Sequence, residues 1–127
     1  MSKELSIFIP LLPPGINQTY GIKIDKAGKP SMYKRPKAIT WSVDASLIIG
    51  AKAAEVDFEF SKYYEIYIEF NNWRMDVDAP IKLIIDTVSQ KLGFDDKYIL
   101  KQTSVKKKGG EKSVLIVLKG IDSEECI

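Results

Sequence analysis

Histidine is absent from this chain of 127 residues, and cysteine occurs once, at Cys126. Without imidazole there can be no Ser-His or Cys-His nucleophilic pair, no histidine general base and no histidine-ligated zinc. A lone cysteine beside the C-terminus excludes an internal disulfide and a thiolate metal cluster. Long apolar runs are missing too, since nothing approaches the ~20 residues of a spanning helix. The opening MSKELSIFIPLLPPG is too short in its apolar stretch and too rich in proline for a signal peptide. The expectation is an intracellular, cytoplasmic protein with no membrane association and no small-molecule cofactor. With imidazole and thiolate chemistry removed, any reaction falls to carboxylates, lysines, tyrosines or hydroxyls.

What is present suits one compact domain. Apolar residues make up 45% of the chain and charged residues 28%, enough for both a core and a solvated surface. A domain of this size buries only about two-thirds of its unfolded surface, so association with a second copy is a natural way to bury more. The net charge of +2 conceals a strong segregation. Residues 1–37 carry seven basic and two acidic side chains, and residues 97–112 carry six and one, so each block is +5. Between them lies an acidic middle containing Glu65, Glu69, Asp76, Asp78, Asp86, Asp95 and Asp96. Basic arms around an acidic centre fit a metal-dependent nuclease, in which lysines follow phosphates and carboxylates hold the cation. Taken alone, Lys106-Lys107-Lys108 reads more readily as the solvated end of a hairpin at Gly109-Gly110.

The pattern along the chain predicts one mixed α+β domain over 1–121, followed by a short acidic tail, 122–127. Residues 5–9 read as a strand ended by Pro10. Segments 20–24 and 31–34 read as a β-ribbon turning at Lys26-Ala27-Gly28-Lys29. Pro36 opens a helix to about Glu55, with an apolar stripe of Ile39, Val43, Leu47 and Ala51, widened by Ile48. Residues 62–71 alternate, with Tyr64, Ile66, Ile68 and Phe70 on one face, which predicts a half-buried strand. A second helix starts near Asp78, has Pro80 in its first turn and buries Ile81, Ile84, Ile85, Val88 and Leu92, with Gly93 as its C′ residue. Residues 98–106 and 112–119 read as a hairpin whose second arm is central in the sheet.

Chemistry concentrates at Asp76-Val77-Asp78. Alternation in an extended segment points residues 76 and 78 to one side, where two carboxylates can take a hard divalent cation. Asp95 and Asp96 follow about 21 Å of helix, at its far end. Either loops fold back within one subunit or a two-fold dimer supplies the second acidic pair, and spacing does not decide between them. Asp78, Lys82 and Asp86 share a helix face at i, i+4 and i+8. Lys82 there suits charge stabilisation at a phosphate, or else an ordinary helix ion pair. A D-x-D by itself is often just a helix cap or a turn.

Taken in order, these motifs resemble the RusA family of Holliday-junction resolvases. The family pattern stands here as Pro13-Pro14-Gly15-Ile16-Asn17-Gln18-Thr19-Tyr20, Asp76-Val77-Asp78, Lys82, Asp86, Gly93-Phe94 and Asp95-Asp96. The resemblance runs over roughly residues 5–119. It implies a homodimer, two-fold or intertwined, that binds four-way DNA junctions and nicks two strands symmetrically by metal-activated water. Mg²⁺ is the implied cofactor, with Mn²⁺ as a substitute. Asp76, Asp78 and Asp96 would be the catalytic metal ligands, Lys82 the phosphate-supporting lysine, and Asp86 and Asp95 carboxylates behind them. Asn17, Tyr20, Lys23, Lys34, Arg35, Lys106, Lys107 and Lys108 are DNA-contact candidates, and Tyr20, Tyr33 and Trp41 could stack on unpaired bases or pack internally. The source could be cellular or a phage. One departure is Ala79, where members commonly carry asparagine. Three other readings stand beside this one: a branched-DNA-binding module with weak or lost cleavage, a metal-dependent nuclease for other branched DNA, and a structural or interaction protein whose acidic middle is only solvated surface.

Overall fold

Strict alternation marks two strands of the sheet, the first and the one at Tyr63–Asn71. In the computed structural model, which describes residues 2–14, 20–24, 26–34, 36–73 and 78–121, β1 (Glu4–Ile9) buries every second residue: Leu5, Ile7 and Ile9. A separate ribbon pairs β2 (Tyr20–Ile24) with β3 (Pro30–Lys34) antiparallel, as the turn at Lys26–Lys29 predicts. Helix α1 (Pro36–Glu55) follows, then β4 (Tyr63–Asn71), helix α2 (Asp78–Leu92), β5 (Ile99–Lys107) and β6 (Ser113–Ile121). The chain is a small single α+β domain with a mixed four-stranded sheet and two main helices.

The sheet order is β1-β6-β4-β5, with β4 parallel to β5 and antiparallel to β6, and β1 antiparallel to β6. This corrects the expected hairpin. β5 and β6 are consecutive and joined through Gly109 and Gly110, at φ 81° and 78°, but they are not paired, because β4 lies between them. The reason is burial. β6 carries Val114, Ile116 and Leu118 and takes an interior position, as expected for it. β5 is polar on both sides (Lys101, Gln102, Thr103, Ser104) and is left at the edge, while alternating β4 fills the gap. β4, α2 and β5 thereby form a parallel β-α-β unit.

On the covered face, the strands align their apolar residues in rows: Leu5–Leu118–Ile66, Ile7–Ile116–Ile68 and Ile9–Val114–Phe70. Both helices close this face, α2 burying Ile81, Leu83, Ile84 and Val88, and α1 packing on β1 and α2. Sequence periodicity placed the wrong face of α1 inward. The buried residues are Ala38, Trp41, Ala45 and Ile49, with Ile48 partly covered. Ile39, Val43 and Leu47 are 50%, 55% and 66% exposed. Small alanines let the helix axis approach the strands, and Trp41 fills the space near β1 while its Nε1–H donates to the Leu11 carbonyl at 3.1 Å. The helices are also tied by a 2.9 Å hydrogen bond between Ser42 and Thr87 hydroxyls, Thr87 donating in turn to the Leu83 carbonyl.

The opposite face of the sheet is charge-laced. Glu4, Lys119, Glu65 and Lys101 alternate in sign across the four strands, with Lys119 3.9 Å from Glu65. Nearer the far end of β4, Glu69 lies 3.1 Å from Lys107 and accepts from the Tyr67 hydroxyl at 2.9 Å. Among the described residues, no helix is long and apolar enough to cross a membrane.

Candidate metal and phosphate groove

The end of β4 is firmly anchored. Asn72 adopts φ 58°, a left-handed conformation that asparagine tolerates better than most residues. Its N–H donates to the Lys107 carbonyl at 2.8 Å, locking the turn against the last residue of β5. Trp73 is buried, with its ring 5.4 Å from that of Phe70. From this point the chain passes through residues 74–77, which lie outside the described residues together with Asp76, and re-emerges as α2 at Asp78. The Asp78 side chain is likewise outside them. Its backbone opens the helical row that continues through Lys82 and Asp86, since residues four apart share a face.

The other end of α2 stops as expected. Gly93 takes φ 83°, and the N–H groups of Gly93 and Phe94 both donate to the Ser89 carbonyl, at 2.8 and 3.0 Å, a glycine-dependent helix stop. Phe94 then stacks on Tyr64 with centroids 4.4 Å apart, folding the chain under the helix end and towards β5. A short 3-10 turn, Asp96–Tyr98, comes next, capped by Asp95. The Asp95 carboxylate accepts the Lys97 N–H at 3.0 Å, and this hydrogen bond is the main reason its pKa is lowered. The capping bond engages Asp95, whose side chain also interacts with that of Asp96, and both residues are exposed.

Because β5 runs parallel to β4, residues 78 and 96 start from opposite ends of the β-α-β unit, as the length of α2 requires. A groove nevertheless runs between α2 and β5, about 310 Å³ in volume and lined by Ile81, Lys82, Ile85, Asp86, Asp96 and Gln102. Three of the sequence-selected residues, Lys82, Asp86 and Asp96, therefore meet in a single subunit. Carboxylate and amide oxygens are ligands of the kind Mg²⁺ takes, together with water and phosphate, so this donor set fits a hard divalent cation. Among the described residues no three carboxylates cluster, and a third would have to come from 76 or 78.

The remaining candidates fall elsewhere. Asn17 and Arg35 lie outside the described residues. Tyr20, Lys23 and Lys34 belong to the β2–β3 ribbon, but their side chains lie outside the described residues. Trp41, considered for base stacking, is a core residue. The three consecutive lysines do not form one patch: Lys106 and Lys107 alternate across β5, Lys107 is engaged with Glu69 on the charge-laced face, and Lys108 follows the strand. Gln102 was missed by sequence reasoning. A glutamine within a polar strand carries no signal until that strand is known to lie at an edge beside α2.

No protein-family model and no curated protein matches this sequence. Among solved structures, the chain is similar to a 2C-methyl-D-erythritol 2,4-cyclodiphosphate synthase from Plasmodium vivax, at 11% identity and a TM-score of 0.34 over 96% of this chain and 99% of that one. A likeness at that level carries no argument about function.

Proposed function

We propose that this protein is a divalent-metal-dependent endodeoxyribonuclease of the RusA type, acting as a homodimer that resolves four-way DNA junctions by paired nicks in the cytoplasm of a cell, whether encoded by that cell or by a phage. The observation that carries the reading is the groove in which Lys82, Asp86 and Asp96 converge. It lies between the helix that opens at Asp78 and the strand that follows Asp95-Asp96. What supports this reading is the motif order of the resemblance together with the lining of one groove by three of its residues.

The division of labour follows from the residue types. Asp76, Asp78 and Asp96 would hold Mg²⁺ or Mn²⁺, with Asp86 as a carboxylate behind them. When bound, that cation supplies Lewis acidity at the phosphoryl oxygen and activates water. Lys82 places a compact positive charge where the scissile phosphate gains negative charge. Asp95 does not face the reaction; it caps the turn that presents Asp96. The half-buried Ile85 and buried Ile81 give the groove an apolar wall that reduces water access and strengthens the field of the charges inside.

A junction has two continuous strands related by a two-fold axis, so an isologous dimer carries two grooves in matching orientation. The decisive experiment compares a labelled four-way junction with a linear duplex, in Mg²⁺ and in EDTA, beside Asp76→Asn. Paired symmetric nicks in the junction alone, dependent on both Mg²⁺ and Asp76, establish the reading. Tight junction binding without cleavage in Mg²⁺ or Mn²⁺ replaces it with a branched-DNA-binding module, and Ala79→Asn is then the restoration to try. Cleavage of flaps in preference to junctions replaces it with a nuclease for other branched DNA.

A further inference from the structure

The three apolar rows of the covered face do not end in apolar residues. Leu5–Leu118–Ile66 continues to Gln102, Ile7–Ile116–Ile68 to Ser104, and Ile9–Val114–Phe70 to Lys106. All three terminal residues are exposed although they share the face that buries the core. The side chains of β4 and β6 on this face are buried, whereas those of β5 are left as an open polar ledge with α2 beside its Gln102 end. Among the described residues β5 is also the edge strand of its sheet. Gln102 at one end of the ledge lines the groove with Lys82, Asp86 and Asp96. Lys106, four residues and about 13 Å on, lies beside Phe70 near the end of β4, from which the chain leads to Asp78.

We propose that this ledge seats the sugar–phosphate backbone of one DNA strand leading out of the groove, with Gln102, Ser104 and Lys106 as its contacts. An amide N–H₂, a hydroxyl and an ammonium are each donors to phosphate oxygen, and none of them reads bases in that role. Spaced two residues apart on one side of a strand, they form a linear track rather than a cluster. Gln102 contacts the phosphate next to the scissile bond, and Lys106 supplies the ionic contact further along. The proposal deepens the nuclease reading and rests on it for the identity of the scissile phosphate, but strand binding on the ledge is measurable without cleavage.

The test uses the full chain in EDTA, with a fluorescein-labelled four-way junction followed by anisotropy across a salt series. Lys106→Glu is compared with Lys101→Glu, which makes the same charge reversal on the same strand but on the opposite face, where Lys101 stands opposite Glu65. Lys106→Glu is expected to weaken binding about tenfold or more and to lower the salt slope by about one, while Lys101→Glu stays within about twofold of wild type. Gln102→Ala should weaken binding by a few fold and, where cleavage is measured in Mg²⁺, raise KM. Equal losses in the two lysine variants overturn the ledge. Junction cleavage by wild type with binding and KM unchanged in Lys106→Glu and Gln102→Ala also overturns it, and leaves the nuclease reading standing. Ledge-dependent binding with no cleavage does the reverse, and a wild type that neither binds nor cuts removes both.

Discussion

The carboxylate of Asp95 accepts the Lys97 N–H while that of Asp96 lines the groove, so two adjacent and chemically identical side chains are separable by substitution. Asp96→Asn is expected to cut junction cleavage by more than the about 10–100-fold that follows loss of a metal ligand's hydrogen-bonding partner, with an unchanged melting temperature. Asp95→Ala should do the opposite: a lower melting temperature from loss of the cap and cleavage close to wild type. Equal kinetic loss in both would mean that Asp95 also faces the reaction. Lys82→Ala, which removes a charge at the phosphate, should reduce kcat about 10²–10³-fold with a smaller effect on junction binding. The family resemblance set Asp96 forward as a ligand, with Lys82 at the phosphate and Asp86 and Asp95 behind, but spacing alone did not divide Asp95 from Asp96. That division depends on which carboxylate the 3-10 turn takes as its cap, a matter of local backbone geometry with no compositional trace. Gln102 was invisible for a related reason, since its place in the groove depends on where α2 lies beside β5.

At the level of elements, local pattern was reliable wherever burial follows period. β4 alternates and buries Tyr64, Ile66, Ile68 and Phe70 as read, and Gly93 ends α2 where its conformational freedom is needed. The misreadings are non-local. Placing β4 between β5 and β6 satisfies the apolar demand of β6 on both sides, which no window spanning the β5–β6 loop contains. Choosing Ala38, Trp41, Ala45 and Ile49 over Ile39, Val43 and Leu47 reflects how closely α1 must approach the sheet. Two consequences of the strand arrangement are measurable. A Cβ on Gly120 would lie 2.8 Å from the Ser61 Cβ and nearer still to its hydroxyl. Gly120→Ala should therefore destabilise by about 1–3 kcal/mol, and Ser61→Gly in the same chain should recover part of that loss by removing both atoms. The Glu69–Lys107 pair ties β4 to β5 diagonally. Hydrogen bonds from Lys107 and then Tyr67 hold the Glu69 pKa below its ordinary value. A carboxylate lowered on folding stabilises the fold above its unfolded pKa and loses that contribution as pH falls through the folded one. The melting-temperature gap between wild type and Glu69→Gln should accordingly be full at neutral pH and close progressively below about pH 4.3. A gap that persists undiminished at acid pH would assign the effect to packing rather than to the charge.

On the scale of the whole molecule, α1 presents an unusual outer surface. Ile39, Val43 and Leu47 stand four residues apart along it and are at least half exposed, whereas the outer face of a surface helix is ordinarily polar. The stripe is symmetric about Val43. Two copies of α1 packed antiparallel across a two-fold axis would set Val43 against its own counterpart and Ile39 against Leu47 in both directions, an isologous contact. Such an association would bury surface that a small domain otherwise leaves exposed, and it uses a helix other than the one that lines the α2–β5 groove. On the proposed function, paired nicking needs two such grooves held together, so the same association would serve function as well as packing. Leu47→Glu should convert the protein to a monomer by sedimentation equilibrium without altering its circular dichroism, since the side chain contributes nothing to the core. Such a monomer should still make single nicks in Mg²⁺ where Asp76 and Asp78 reach Asp96 within one subunit, and none where the partner supplies them; in either case the second nick should no longer follow within the lifetime of the first complex. A Leu47→Glu protein that stays dimeric and nicks in pairs would move the two-fold axis to another surface. A wild type that is monomeric yet nicks in pairs would sever the link between dimer and symmetry altogether.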